Sequence, residues 1–231
     1  MHNVISARPK IALIADLLPT QITVGMREVA FKRNRWRNRD REAAERFLNA
    51  HAIPVVVGPG ARHFITDHHH LARALHDEGV IEAPVSVVGD LGTLSRDEFW
   101  SALEGRNWSH PFDDTGERRD YTDVPKSLDD LIDDPFRSLA GALKRAGGYT
   151  KDKAPFSEFC WADFLRDRIG RQTIECDFDF ALALAVRLAR SHEARALPGW
   201  LGPSSSTEDA DQFIDDVHPV ADVEFRHENR K

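Results

Sequence analysis

The segment that most constrains the fold is residues 53–88, with the sequence IPVVVGPGARHFITDHHHLARALHDEGVIEAPVSVV. Its opening apolar run ends in Gly-Pro-Gly, which predicts a buried strand and a hairpin with the run RHFIT that follows. Apolar residues then recur at helical spacing until Gly79, a typical helix end, and the run APVSVVGD predicts another strand. The order strand, strand, helix, strand predicts a compact α+β unit.

The sequence on either side of this segment predicts a division into three parts. Residues 11–18 favour a short strand that ends in a turn, whereas helix and loop patterns dominate after residue 95 and end in a long helix at 178–197. The predicted parts are an α+β domain at 1–94, a mostly helical extension at 95–202, and a polar tail at 203–231.

Charge and composition restrict the class of protein. The 231-residue chain has a formal net charge of −7, which disfavours nonspecific binding to DNA. The basic segment KRNRWRNRDR at 32–41 either forms a solvated helix face or contacts an anion. Two cysteines are too few for a disulfide framework, and no apolar run reaches the ~20 residues of a membrane span. These features favour a cytoplasmic protein with no membrane partner.

Three consecutive histidines, His68, His69 and His70, follow Asp67 at a predicted helix start. A helix N-terminus presents unpaired N–H groups and the positive end of the helix dipole, which attract phosphate. The same dipole favours neutral imidazole, which can act as a base, a hydrogen-bond donor or a metal ligand. Successive helical residues point about 100° apart, so at most two rings can face one ligand. The alternatives are phosphate binding or catalysis, metal binding, and structural packing with Asp67 as N-cap.

A metal ion would need ligands beyond this run. The chain has no His-Glu-x-x-His or Cys-x-x-Cys pattern, which disfavours a zinc site. Magnesium usually keeps several water ligands, so Asp67 together with bound phosphate is a candidate magnesium site.

Further candidate residues precede the histidines. Thr20 and Gln21 follow the first predicted strand, where they either cap a turn or contact a ligand. Glu28 and Lys32 have the spacing of a helix-surface ion pair. If Glu28 instead faces the histidines, it is the best candidate for a general base or a metal ligand.

The order of elements resembles the N-terminal domain of the ParB/sulfiredoxin superfamily, which also has a hairpin, a motif at a helix start and a following strand. More narrowly, the chain resembles the ParB-like nuclease family, over roughly residues 11–200. The matching stretches are PTQITVGMREVAFK, VVVGPG, TDHHHLARAL, DEFW, DDPFRSLAGALKRAGGYTKDKAPFSEFCWADFLR and ALPGW. The resemblance implies an α+β fold: a ParB/sulfiredoxin-like N-terminal domain with a mostly helical C-terminal extension.

The resemblance also implies that the helix start handles nucleotide phosphate. ParB proteins have a Gly-Glu-Arg-Arg segment there for CTP, sulfiredoxins a Gly-Cys-His-Arg segment with ATP, and related free-serine kinases an Asp-Gly-His-His-Arg type of segment. The run from Asp67 to His70 occupies that turn here, without a glycine and with Leu71 in place of the following arginine. Another basic residue must then balance the phosphate charge. The candidates are Lys32, Arg62, Arg73, Arg137 and Lys151.

The expected activity is phosphoester hydrolysis, as in a nuclease, or phosphoryl transfer. His69 or His70 would act as acid or base, His68 and the turn backbone would hold phosphate, and Asp67 would orient an imidazole or a magnesium ion. Mg²⁺ and a nucleotide are the expected cofactors, and a nucleotide, a phosphorylated small molecule or a nucleic acid the expected partner. The alternatives are a nucleotide-dependent kinase of a small metabolite, with Glu28 as base, and a nucleotide- or DNA-binding module without catalysis.

Overall fold

A four-stranded mixed sheet forms the centre of the N-terminal half. The computed structural model describes residues 10–151 and 156–203. The strands of the sheet are β1 (Lys10–Leu13), β3 (Ile53–Gly58), β4 (Arg62–Ile65) and β5 (Glu82–Asp90), in the order β1-β5-β3-β4. Strands β3 and β5 are parallel, whereas the edge strands β1 and β4 pair antiparallel. A small parallel sheet joins β2 (Thr23–Val24) to β6 (Ile132–Asp133).

Helices surround the sheet and make up most of the second half. Those of the first half are α1 (Met26–Arg37), α2 (Arg41–Ala50), α3 (His69–Asp77) and α4 (Arg96–Glu104). Those of the second half are α5 (Pro135–Arg145), α6 (Ser157–Arg166), α7 (Arg171–Cys176) and α8 (Phe178–Ala189). No helix among the described residues is long and apolar enough to cross a membrane.

The central strand β3 is covered on both of its faces. Side chains alternate between the faces of a strand, so neighbouring valines of β3 enter different clusters. Val55 packs with Leu71 and Leu75 of α3, whereas Val56 packs with Phe99 of α4. A separate cluster in the second half joins α5, α6 and α8. Helix α3, which carries the histidines, is therefore held directly against the sheet.

The predicted α+β fold is confirmed, including the hairpin, helix and strand expected within residues 53–88. The strand ending in a turn that was expected at 11–18 is present, with the strand ending at Leu13 and Leu17 N–H bonding back to the Ile14 carbonyl in a 3₁₀ turn. One expectation is wrong in extent. The helix predicted at 178–197 ends at Ala189 and is followed by a short 3₁₀ turn. The domain boundaries stay predictions, and residues 204–231 of the predicted tail lie outside the described residues.

A close approach at Gly25 fixes the second half against the first. A side chain at Gly25 would place its Cβ 2.5 Å from the backbone nitrogen of Ser138, so only glycine fits. The Ser138 hydroxyl accepts a hydrogen bond from Arg27 N–H at 3.1 Å. This contact brings the first turn of α5, with Arg137, next to the loop that precedes α1.

Candidate functional site

The start of α3 has a strained and uncapped backbone. His68 is the N-cap residue and has φ of 68°, a left-handed conformation that is uncommon for a residue other than glycine. The sequence predicted Asp67 as the N-cap, and this prediction is wrong. Asp67 Oδ1 accepts from His68 N–H at 2.6 Å, whereas a capping side chain accepts from an N–H two or three residues further along. No side chain caps the helix. The N–H groups of its first turn are therefore available to an anion.

His69 and His70 are buried and each accepts a hydrogen bond from the backbone. Thr20 N–H donates to His69 Nε2 at 3.1 Å, and Gly25 N–H donates to His70 Nε2 at 3.0 Å. A backbone N–H can only donate, so both Nε2 atoms are unprotonated and each neutral ring carries its proton on Nδ1. Burial lowers the pKa of His69 to about 3 and lowers that of His70 well below its usual value, and Arg137 adds to both effects. Both rings suit hydrogen-bond donation at neutral pH better than proton exchange.

The two residues expected near the first strand have different positions. Thr20 is 1% exposed, and its hydroxyl lies 2.7 Å from the carbonyl oxygens of both Ile65 and Trp108. It therefore positions His69 and does not line the cavity at α3. Gln21 does line that cavity, and its amide donates to the Thr23 carbonyl at 2.7 Å.

A cavity of about 830 Å³ opens at the start of α3 between the two halves of the chain. Positive charge is concentrated there, although the chain as a whole is acidic. Seven cations and two carboxylates are found among the described lining residues. The cations are Lys32, Arg35, Arg39, Arg106, Arg137, Lys144 and Lys151, and the carboxylates are Asp67 and Glu158. This balance favours an anionic ligand.

Arg137 is the most unusual of these cations. Its side chain lines the cavity, yet the residue is only 4% exposed. Within the described part of the chain, its Nε and Nη1 atoms are buried without a hydrogen-bond partner, and no carboxylate forms an ion pair with it. Its guanidinium lies 3.5 Å from the ring centroid of Phe159. Burial lowers the pKa of Arg137, which means that the charge is destabilised until an anion accompanies it.

Glu28 does not line the cavity at α3. It is 8% exposed and bridges two elements, with Lys32 Nζ 3.3 Å from its Oε1 and Arg145 bound to its Oε2. Two cations occupy the carboxylate, so it connects α1 to α5 and is unsuited to take a proton from substrate. The expected ion pair with Lys32 is present, and Lys32 also lines the cavity.

Arg73 is directed away from the cavity. Its Nε donates to Asp77 at 2.7 Å, and its Nη1 donates to the carbonyl of Leu128 at 2.7 Å. The expectation that Arg73 meets phosphate is therefore wrong, because its position on α3 faces the 3₁₀ turn at 128–130. Arg62 lies at a smaller cavity elsewhere, whereas Lys151 lines the one at α3.

The structure does not bring metal ligands together around Asp67. Among the described residues, the one group of potential ligands within reach of a common ion is His76, Asp77 and Asp129. Asp77 in that group already binds Arg33 and Arg73, which disfavours a cation. A magnesium ion at Asp67 would need ligands supplied by water or by phosphate.

Several lining residues were not predicted from the sequence. Lys144 Nζ lies 2.8 Å from Glu158 Oε1. The aromatic side chains of Trp108, Tyr149 and Phe159 form part of the cavity wall. No local pattern marks them, and those of the second half reach the cavity through the packing of α5 against α1 and of α6 against α5. Arg35 and Arg39 lie within the basic run at 32–41, where composition was the available signal.

The buried histidines predict a loss of stability in acid. Burial lowers the pKa values of His69 and His110 to about 3, whereas both titrate near 6.5 when unfolded. Between these values the unfolded chain binds more protons, so the free energy of unfolding should fall by up to about 1.4 kcal/mol per pH unit for each histidine as pH drops. Urea unfolding at several pH values measures this slope.

A matched variant isolates one of these protons. His110 contacts the rings of Phe112, Phe156 and Phe159, so His110→Phe keeps an aromatic side chain and removes the titration. In this variant the free energy of unfolding should fall less steeply with decreasing pH than in the wild type, because the unfolded chain takes up one proton fewer. Equal slopes would contradict a buried neutral His110.

Comparisons with known proteins agree with this architecture. The sequence matches the family described as putative ParB-like nuclease over residues 11–167. The chain is similar to the crystal structure of protein Atu1540 from Agrobacterium tumefaciens, with 51% sequence identity and a TM-score of 0.79 over 86% of this chain and 100% of that one. A search of curated proteins found no match. The family match spans more than half of the sequence, and this chain therefore belongs to the ParB-like nuclease family.

Proposed function

We propose that the cavity at α3 binds a phosphate of a nucleotide or nucleic acid and that the protein hydrolyses a phosphoester there. The observation that carries this proposal is the buried, unpaired Arg137 beside an uncapped helix start. Guanidinium groups and helix N-termini both bind phosphate through fixed N–H donors. Arg137 would thus supply the charge that the family's motif places directly after the turn.

The histidines take separate roles in this proposal. His69 and His70, held by backbone donors at Nε2, would donate through Nδ1 to phosphate oxygens. The Nδ1 atom of His68 is buried and has no hydrogen-bond partner among the described residues. Burial lowers the pKa of His68, and the neighbouring Asp67 opposes that shift. His68 is therefore the better candidate for the group that exchanges a proton with water or the leaving oxygen.

A magnesium ion bound beside Asp67 would neutralise part of the phosphate charge. Asp67 is the carboxylate nearest the turn that could hold it, together with water and the phosphate itself. The remaining contribution is that of the chain, in which Arg137 and the first turn of α3 hold the phosphate.

Binding and turnover test the two parts of the proposal separately. Calorimetric titration with deoxythymidine monophosphate, with and without magnesium, should show binding to the wild type. A labelled oligonucleotide incubated under the same conditions should be cleaved. Absence of binding would contradict the phosphate site, and binding without cleavage would contradict the hydrolase.

Two variants of His68 should differ in stability but share the same loss of activity. The left-handed backbone strains any residue with a Cβ, so His68→Gly should be more stable than His68→Ala by about 1 kcal/mol. Both variants lack the imidazole and should lose cleavage by about 100-fold or more while still binding the monophosphate. Denaturant unfolding and initial rates measure the two effects. Cleavage at the wild-type rate by either variant would exclude His68 as the acid or base.

A further inference from the structure

We propose that Arg35, near the C-terminal end of α1, and Arg39, just beyond it, form a second phosphate subsite, and that the ligand is an unpaired nucleic-acid strand. The inference rests on the proposed function, because it extends a ligand whose first phosphate is bound at α3. It concerns residues that no part of the helix-start motif includes.

The arginines of the basic run divide into two groups by their partners. Arg33 and Arg37 bind the same carboxylate, Glu78, with Nε to oxygen distances of 2.6 Å, and Arg41 pairs with Glu45 at 3.3 Å. Arg35 and Arg39 line the cavity instead, and no carboxylate forms an ion pair with either of them in the described ranges. Unpaired positive charge along the run is thus directed to the same cavity as Arg137.

The row of cations is longer than one phosphate. Lys32, Arg35 and Arg39 are three and four residues apart, so they follow one side of α1 and its end. At a rise of 1.5 Å per residue Lys32 and the helix end at Arg37 are about 7.5 Å apart, and Arg39 lies beyond that end. One phosphate cannot contact both ends, whereas successive phosphates of a strand can. Lys32 is the end of the row that is paired with Glu28. Arg39 Nη1 donates to the Arg35 carbonyl, so the charge of each arginine has no carboxylate partner among the described residues although Arg39 has a backbone one.

Aromatic side chains accompany these cations. Trp36, Phe47 and His51 line the same part of the cavity, with the Arg39 guanidinium 3.9 Å from the Phe47 ring centroid. Cations alternating with aromatic rings are typical of sites for unpaired strands, in which bases meet rings and phosphates meet cations. The cavity of about 830 Å³ has the size of a small-ligand pocket, which admits an unpaired end but not a duplex.

The test compares ligands of different length on one double variant, Arg35→Gln with Arg39→Gln. The wild type should bind an oligothymidylate more tightly than deoxythymidine monophosphate. The variant should lose about tenfold or more in affinity for the oligothymidylate and remain within about twofold for the monophosphate. The slope of log affinity against log salt should fall in magnitude by about 0.7, because one phosphate of a single strand is no longer neutralised.

A charge-matched control uses Arg187→Gln with Arg195→Gln, two exposed arginines that do not line the cavity. This control should leave both affinities unchanged. Equal losses for the two ligands, an equal loss in the control, or no gain from chain length in the wild type would each overturn the second subsite. A wild type that binds neither probe would overturn the proposed function together with it, whereas one that binds only the monophosphate would leave that function standing.

Discussion

Replacing Arg137 with methionine should make the free protein more stable and abolish its response to phosphate ligands. The guanidinium is buried with unpaired Nε and Nη1 atoms, so its removal relieves an uncompensated charge. The loss of the contact with the Phe159 ring offsets part of this gain. The net increase in the free energy of unfolding should be about 1–2 kcal/mol.

The loss of binding should be much larger than this gain. Removing one partner of a buried charge pair costs about 3 kcal/mol, which is about 100-fold in affinity. Monophosphate at about 100 times the wild-type Kd should stabilise the wild type by about 2.7 kcal/mol and the variant by only about 0.4 kcal/mol. Thermal and denaturant unfolding with and without ligand measure both effects.

Arg168 offers a matched control for this experiment. It also lies over an aromatic ring, 3.9 Å from the centroid of Phe164, but it is paired with Glu193 at 2.9 Å. Arg168→Met should therefore not raise stability and should leave monophosphate binding unchanged. If Arg137→Met is destabilised and still binds the monophosphate, Arg137 is a structural residue and the proposed site is wrong.

The local features of the site could be predicted from the sequence. The hairpin, the helix start and the position of the histidines follow from patterns within a few dozen residues, where strand alternation, turn chemistry and helical spacing agree. The sequence also predicts that at most two of the three rings can face one ligand. The partners of those rings could not be predicted, because Thr20 is 49 positions from His69 and Gly25 is 45 from His70.

The identity of the compensating cation depends on tertiary packing. Five basic residues were candidates, and sequence spacing gave no reason to prefer one. Arg73 is nearest in the chain but lies on the side of α3 that carries Asp77 and faces the Leu128 carbonyl. Arg137 is distant in the chain but is placed at the cavity by the contact between Gly25 and Ser138. Which side of α3 is covered, and by what, is decided by packing rather than by local preference.

A buried ion pair at the start of α5 should control the position of Arg137. Asp134 is 1% exposed, caps α5 by accepting from Phe136 N–H at 3.0 Å, and lies 2.8 Å from Arg166 Nη2. Arg166→Met would leave this carboxylate buried without its cation, which should lower the free energy of unfolding by about 3–5 kcal/mol. Arg166 also donates to the Asp114 carbonyl at 2.7 Å, so the loop at 113–116 loses an attachment as well.

Two further variants separate the cost of the unpaired Asp134 carboxylate from the cost of losing the Arg166 side chain. Asp134→Asn combined with Arg166→Met removes the unpaired charge while keeping a cap for α5, so the double variant should be more stable than Arg166→Met alone. Arg171→Met breaks a more exposed ion pair with Asp114 and should cost less than about 1 kcal/mol. Urea unfolding measures all three, and a cost for Arg166→Met no larger than that for Arg171→Met would contradict the buried pair.

Because Arg137 lies one helical turn beyond Asp134, monophosphate affinity should weaken in Arg166→Met and recover in part in the double variant.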